Sequence, residues 1–153
     1  MNQAKSLAKE GKIDENASIK DLHSIIINAS IEDIWMKLAD LQSWPDWNNE
    51  ISSVEGPGSL SEGVGFSWTY KTSKINSEVQ LFKAPNELAW VNKSYWAKEI
   101  YVWSLETDEN QTIVTLKTSL QGPFTFFTNS HQKVYNKLIE WLQDLKRVFE
   151  EEN

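Results

Sequence analysis

A chain of 153 residues with 40% hydrophobic side chains is the length of one domain, and no apolar run approaches the roughly 18 residues of a membrane span. Fifteen basic against twenty-two acidic residues give a net charge of −7, with Arg147 the single arginine, which argues against nucleic-acid partners and anionic membrane surfaces because both are held by basic patches. Cysteine is absent, which removes disulfides, thiolate metal sites and cysteine nucleophiles and fits a reducing cytoplasm.

In chain order, "MNQAKSLAKEGKIDENAS" has no apolar stretch behind its lysines and is not a secretory signal. Residues 1–18 are expected to be a mobile arm on a single domain spanning 1–153. "HSIIINA" then predicts a buried strand centred on Ile25 to Ile27. Ser30 and Asp33 stand at the spacing of a capping box, and Ile31, Ile34, Trp35 and Leu38 recur as the apolar stripe of a short helix. In "SWPDWNNE", Pro45 suits the first turn of a second, very short helix. From Ile51 the period changes to two. "FSWTY", "INSEVQL", "LAWVN", "IYVWSLE" and "TIVTLKTSL" predict strands, and links as short as "KAPNE" and "TDENQ" allow only hairpins, so the sheet is an antiparallel meander. A long helix is predicted within Thr125–Glu150. Its apolar face is Phe127, His131, Val134, Leu138, Trp141, Leu142, Leu145 and Phe149, with Lys133, Lys137, Asp144 and Lys146 mostly elsewhere. Seven strands and one long helix imply a curved sheet wrapped on that helix, with a gap left between them.

"IIINASIEDIWMKLADLQSWPDWN" resembles the opening of the START-like (SRPBCC) superfamily, in its polyketide cyclase/dehydrase branch. Ile27, Ala29, Ile34, Trp35, Asp40, Trp44, Pro45 and Trp47 stand at the pattern's positions. "EGVGFSW", "KINSEV", "NELAWV", "IYVWSLE", "SLQGPF" and "LIEWLQDLKRVFE" follow in family order, so the resemblance spans about Gly11 to Glu150. It implies an α+β helix-grip fold: a curved seven-stranded antiparallel sheet around a long C-terminal helix, two short helices after the first strand, and an apolar cavity inside. The resemblance leaves the chemistry open, because one fold hosts many functions.

The chain contains no G-x-S-x-G, G-x-G-x-x-G or Walker pattern. His23 and His131 lack partners at metal-binding spacing, so neither metal nor cofactor is expected. Eight tryptophans are the unusual feature. Phe66, Trp68, Tyr70, Trp90, Tyr101 and Trp103 fall on the inward phase of their strands and are candidates to line the cavity, joined by His131 and Tyr135 from the long helix. Trp44 and Trp47 are candidates for a lid, and Trp96 in "KSYWAK" is expected to be exposed at an entrance. Three readings follow. The first, and preferred, is binding or carriage of a small hydrophobic or aromatic molecule without catalysis. The second is a cyclase or dehydratase acting on a polyketide-like substrate, with His131, Tyr70 and Tyr135 as its acid/base candidates. The third is a protein-interaction module resembling chaperone cofactors, centred on Trp96.

Overall fold

The computed structural model describes residues 2–94, 96–123, 125 and 130–150. Helix α1 (Asn2–Lys9) leads into strand β1 (Ile19–Ile27), then α2 (Ile31–Ala39), a single 3₁₀ turn (Leu41–Ser43) and α3 (Trp44–Trp47). Six strands follow: β2 (Ile51–Glu55), β3 (Gly65–Tyr70), β4 (Ser73–Lys83), β5 (Glu87–Lys93), β6 (Lys98–Asp108) and β7 (Gln111–Gln121). Helix α4 (Ser130–Glu150) ends the described chain. The seven strands form one antiparallel sheet in the order β1-β7-β6-β5-β4-β3-β2. This is the helix-grip fold, of the α+β class, and α4 lies on the concave face. A register shift between Val79 and Leu81 puts a bulge in β4, where added twist helps the sheet bend around the helix.

Local signals place the elements. Ser30 caps α2, its hydroxyl accepting from the Asp33 amide at 3.1 Å, and Trp35 packs edge-on against Phe82 at 5.1 Å. Pro45 opens α3, where its missing N–H costs nothing. Strand β1 is less buried than its β-branched run suggests. It is an edge strand, so Leu22 and Ile26 on its outer face are exposed.

The N-terminal segment overturns an expectation. The described part of the expected arm, residues 2–18, is not loose: α1 packs on the convex face of the sheet, with Ala4, Ala8 and Ile13 buried against Leu81, Ala89, Val91, Ile100 and Val102. The outward phases of β5 and β6 are apolar and need cover, since leaving them in water forfeits about 25 cal/mol per Å². Gly11, at φ +71°, turns the chain out of the helix, and the Lys5 ammonium reaches Glu78 at 3.3 Å.

The concave core is aromatic. The Trp141 ring of α4 sits 5.0 Å from Trp44, 5.7 Å from Trp47, 5.5 Å from Trp68, 6.1 Å from Trp90 and 5.5 Å from Trp103. Four of these five pairs are edge-to-face, a geometry that ring quadrupoles favour, and the fifth is tilted.

Candidate functional site

That cluster decides where a ligand can go. Phe66, Trp68, Trp90, Tyr101 and Trp103 do point inward, but all are buried and the space between them is filled by Trp44 and Trp141. They belong to the core, and none of them lines the cleft beside the N-terminal half of α4. Trp44 and Trp47 are core as well. Their indole N–H groups donate to the Leu38 carbonyl and the Ser43 hydroxyl, each at 3.0 Å, which fixes them beneath the short helices instead of over an opening. His131 is exposed, because the second residue of α4 projects beyond the sheet that covers the rest of the stripe. Tyr135 is 40% exposed and its ring meets His23 at 6.2 Å, at the seam between α4 and β1. Phe127 lies outside the described residues.

The cavity is displaced toward the N-terminal half of α4. It is an open cleft of about 610 Å³ between that helix, the end of β3 with its following turn, the start of β6 and the end of β7. Tyr70 is the one predicted cavity residue that lines it, beside Trp96, Glu99, Leu120, Val134, Lys137 and Glu140. Trp96 is 67% exposed and stands at the rim, where an entrance residue was expected. Gly122 fixes that rim: a Cβ there would come within 2.5 Å of the Trp96 carbonyl oxygen, so only glycine lets the two segments approach. A second hollow of about 800 Å³ between Lys5, Gly65, Asn76 and Lys93 is larger, but most of its lining side chains are polar and it brings together no comparable set of buried groups.

The polar groups of the first cavity are organised by position. Lys137 and Glu140 are one turn apart on α4, and both face the sheet, although Lys137 had been assigned to the outer side. A sheet that curls around a helix covers more than the roughly 100° stripe of a simple amphipathic contact, so flanking polar positions are enclosed too. For the same reason Asp144 is buried; it accepts from the Asn49 amide at 3.3 Å and from Arg147 Nη1 at 2.6 Å.

The Lys137 ammonium lies 4.6 Å from the ring centre of Tyr70, 4.9 Å from Trp68 and 5.7 Å from Tyr101. Trp68 and Tyr101 thus form a floor under the lysine. Burial pushes the Lys137 amine below its ordinary value, against the opposing fields of Glu99 and Glu140. The Tyr70 phenol donates to Glu140 Oε2 at 2.6 Å. Burial first, then that bond and the charges of Glu140, Glu50 and Asp144, hold the phenol protonated far past its usual range. Tyr101 is raised as well, by burial and then by Glu99 and Tyr70. Glu99 is oriented from outside the cavity: Trp68 Nε1 donates to Ser77 Oγ at 2.9 Å, Ser77 Oγ to Asn92 Oδ1 at 2.6 Å, and Asn92 Nδ2 to Glu99 Oε1 at 2.6 Å.

This arrangement gives a half-apolar cleft with one buried amine, two positioned carboxylates and two phenols that stay neutral. Among the described residues no three His, Asp or Glu side chains are grouped to hold a metal ion.

A curved sheet gripping a helix beside such a cleft is the architecture of the START-like superfamily. The chain belongs to the family described as polyketide cyclase/dehydrase and lipid transport, whose model matches residues 22–150. A hypothetical protein of Helicobacter pylori, jhp0584, superposes with a TM-score of 0.76 at 14% identity, over 90% of this chain and 91% of that one. A START superfamily protein of Mycobacterium smegmatis does so with a TM-score of 0.74 at 14% identity, over 88% and 99% of the two chains. DynU16, from the dynemicin biosynthetic locus, gives a TM-score of 0.69 at 13% identity, over 86% of this chain and 47% of that one. At these identities the likeness is one of fold. Among curated proteins none matches the chain. No helix among the described residues is long and apolar enough to cross a membrane.

Proposed function

We propose that the chain binds a small, flat, largely apolar molecule in the cleft between the N-terminal half of α4 and the ends of β3, β6 and β7. The observation that carries this reading is the cavity of about 610 Å³ flanked by Tyr70, Trp96, Leu120 and Val134. Its size is within the range of small-molecule sites, roughly 300–1,000 Å³, and the family description includes both cyclases and lipid carriers. The ligand is held at the rim of the aromatic core, not inside it. The position of Trp96 on the cleft's edge makes it part of this site.

The test uses 2-naphthol. It should bind at about one molecule per chain, with an affinity insensitive to salt because no net charge is neutralised. Val134→Trp fills the cleft and should abolish binding while the fold is kept. If 2-naphthol does not bind, or binds the filled variant equally well, the cleft is not the site. Native mass spectrometry of freshly purified protein then shows whether a natural ligand of this class travels with it.

A further inference from the structure

Building on the cleft as the binding site, we infer that its ligand carries an aldehyde or ketone group and that Lys137 holds this group covalently, as an imine.

The inference starts from the position of the amine. A lysine near a surface normally extends its head into water, but Lys137 Nζ rests against the faces of Trp68, Tyr70 and Tyr101 while lining the cleft. Among the described residues it makes no hydrogen bond and no ion pair. The ring faces attract a cation but accept none of its three N–H groups in the ordinary sense. Charged and titratable groups face it from each side: Glu140 and Lys133 on α4, Tyr70 and Lys71 at the end of β3, Tyr101 and Glu99 on β6. Burial outweighs the carboxylates and lowers the amine's hold on its proton, so the nucleophilic free form is more accessible than in a lysine in water; a desolvated pocket is a recognised means of activating lysine.

The surroundings also select the ligand's polar group. An anionic head would be drawn to the exposed Lys71 and Lys133 and away from Lys137, beside which Glu99 and Glu140 stand, and a cationic one would have to displace Lys137 from its rings. A neutral carbonyl meets neither objection. The lone pair of Lys137 attacks the carbonyl carbon, forming a C–N bond while the carbonyl oxygen takes up a proton to give a carbinolamine. Loss of the nitrogen's second proton and departure of the hydroxyl as water then leave a C=N bond, so amine and carbonyl give imine and water with no change in oxidation state. Glu140, one turn along α4 and lining the same cleft, is the group we assign to carry the proton once the carbonyl carbon is bound. Its Oε2 is engaged by Tyr70, while Oε1 can accept the proton lost by nitrogen and return it to the departing hydroxyl.

The experiment is reductive trapping of the whole chain with 2-naphthaldehyde and sodium cyanoborohydride at neutral pH, followed by peptide mapping. Label should enter Lys137 at least about tenfold faster than any other lysine, because the cleft concentrates the aldehyde beside it. The rate should saturate with aldehyde and be suppressed by 2-naphthol. Lys137→Met should lose this fast site, and Val134→Trp, which keeps the amine but fills the cleft, should slow labelling of Lys137 to the surface rate. If 2-naphthol binds but Lys137 is labelled no faster than the other lysines, the imine is overturned and the cleft stands. If 2-naphthol does not bind, the cleft reading falls and the imine falls with it.

Discussion

The phenol of Tyr70 and the carboxylate of Glu140, seventy positions apart, meet at 2.6 Å and tie the end of β3 to the middle of α4. A phenol donating to a carboxylate is a charge-assisted bond, stronger than a neutral one. The bond also restrains the helix on the side where the cleft opens.

Tyr70→Phe should therefore lower stability by about 1–2 kcal/mol, since one partner remains as a half-buried carboxylate without its donor. The ring that faces Lys137 is kept, so 2-naphthol affinity should change little. Urea denaturation and the binding titration check the two halves. A large loss of affinity with stability intact would mean that the hydroxyl contacts the ligand directly.

Trp68 and Trp103 offer a controlled comparison inside the core. Both are fully buried, but Trp68 Nε1 has Ser77 as acceptor, whereas Trp103 Nε1 has no acceptor among the described residues. Replacing either with Phe removes similar volume. Trp68→Phe also breaks a satisfied bond and the chain leading to Glu99, while Trp103→Phe removes a donor that was desolvated without return. Trp103→Phe should be the milder change by about 1 kcal/mol or more. Equal denaturation midpoints would show that the Trp103 N–H is satisfied in solution.

Much of the fold is legible in the residues. The period-two strands, the Ser30 cap, Pro45 at the head of α3 and the apolar stripe of α4 each have a local cause, and the resemblance in "IIINASIEDIW" through "SWPDWN" orders them. The site is less legible, for two physical reasons. Strand phase says that Trp68, Trp90 and Trp103 point inward, but not whether another element fills the space before them; Trp141 and Trp44 do so from distant parts of the chain. Helical phase places Lys137 and Glu140 beside the apolar stripe, but how far the sheet curls around them is a tertiary property. The packing of α1 had a sequence signal that the alternation of β5 and β6 already carries: Ala89 and Val91, then Ile100 and Val102, make the outward phase apolar too. Strands apolar on both faces are covered on both faces.

Glu78 anchors that cover. Hydrogen bonds from Gln80, Lys93 and Lys5 hold its carboxyl down at about 2, below the unfolded value of about 4.3. A carboxylate with a depressed folded pKa adds stability above the unfolded pKa, and that stability is lost as pH falls through the folded one. Glu78→Gln should cost on the order of 1 kcal/mol at neutral pH, less than the shift alone suggests because both lysines are partly exposed. The difference from the parent should shrink as pH drops from about 4.5 toward about 2. A penalty that stays constant with pH would assign the effect to packing of α1 instead of charge.

At the alkaline end the sign reverses and the buried phenols govern. Tyr70 and Tyr101 have folded pKa values raised above the ordinary 10.0, so the unfolded chain releases their protons first. Their contribution is fully present below about pH 10 and is lost as pH rises beyond it. Each such phenol steepens the decline by about 1.4 kcal/mol per pH unit. Denaturation midpoints measured between pH 9 and pH 11.5 should thus fall faster in the parent than in Tyr101→Phe or Tyr70→Phe, each of which removes one phenol from the titration. A parent and a Tyr101→Phe variant with the same alkaline slope would show that water reaches the Tyr101 hydroxyl, and the floor beneath Lys137 would then be wet instead of closed.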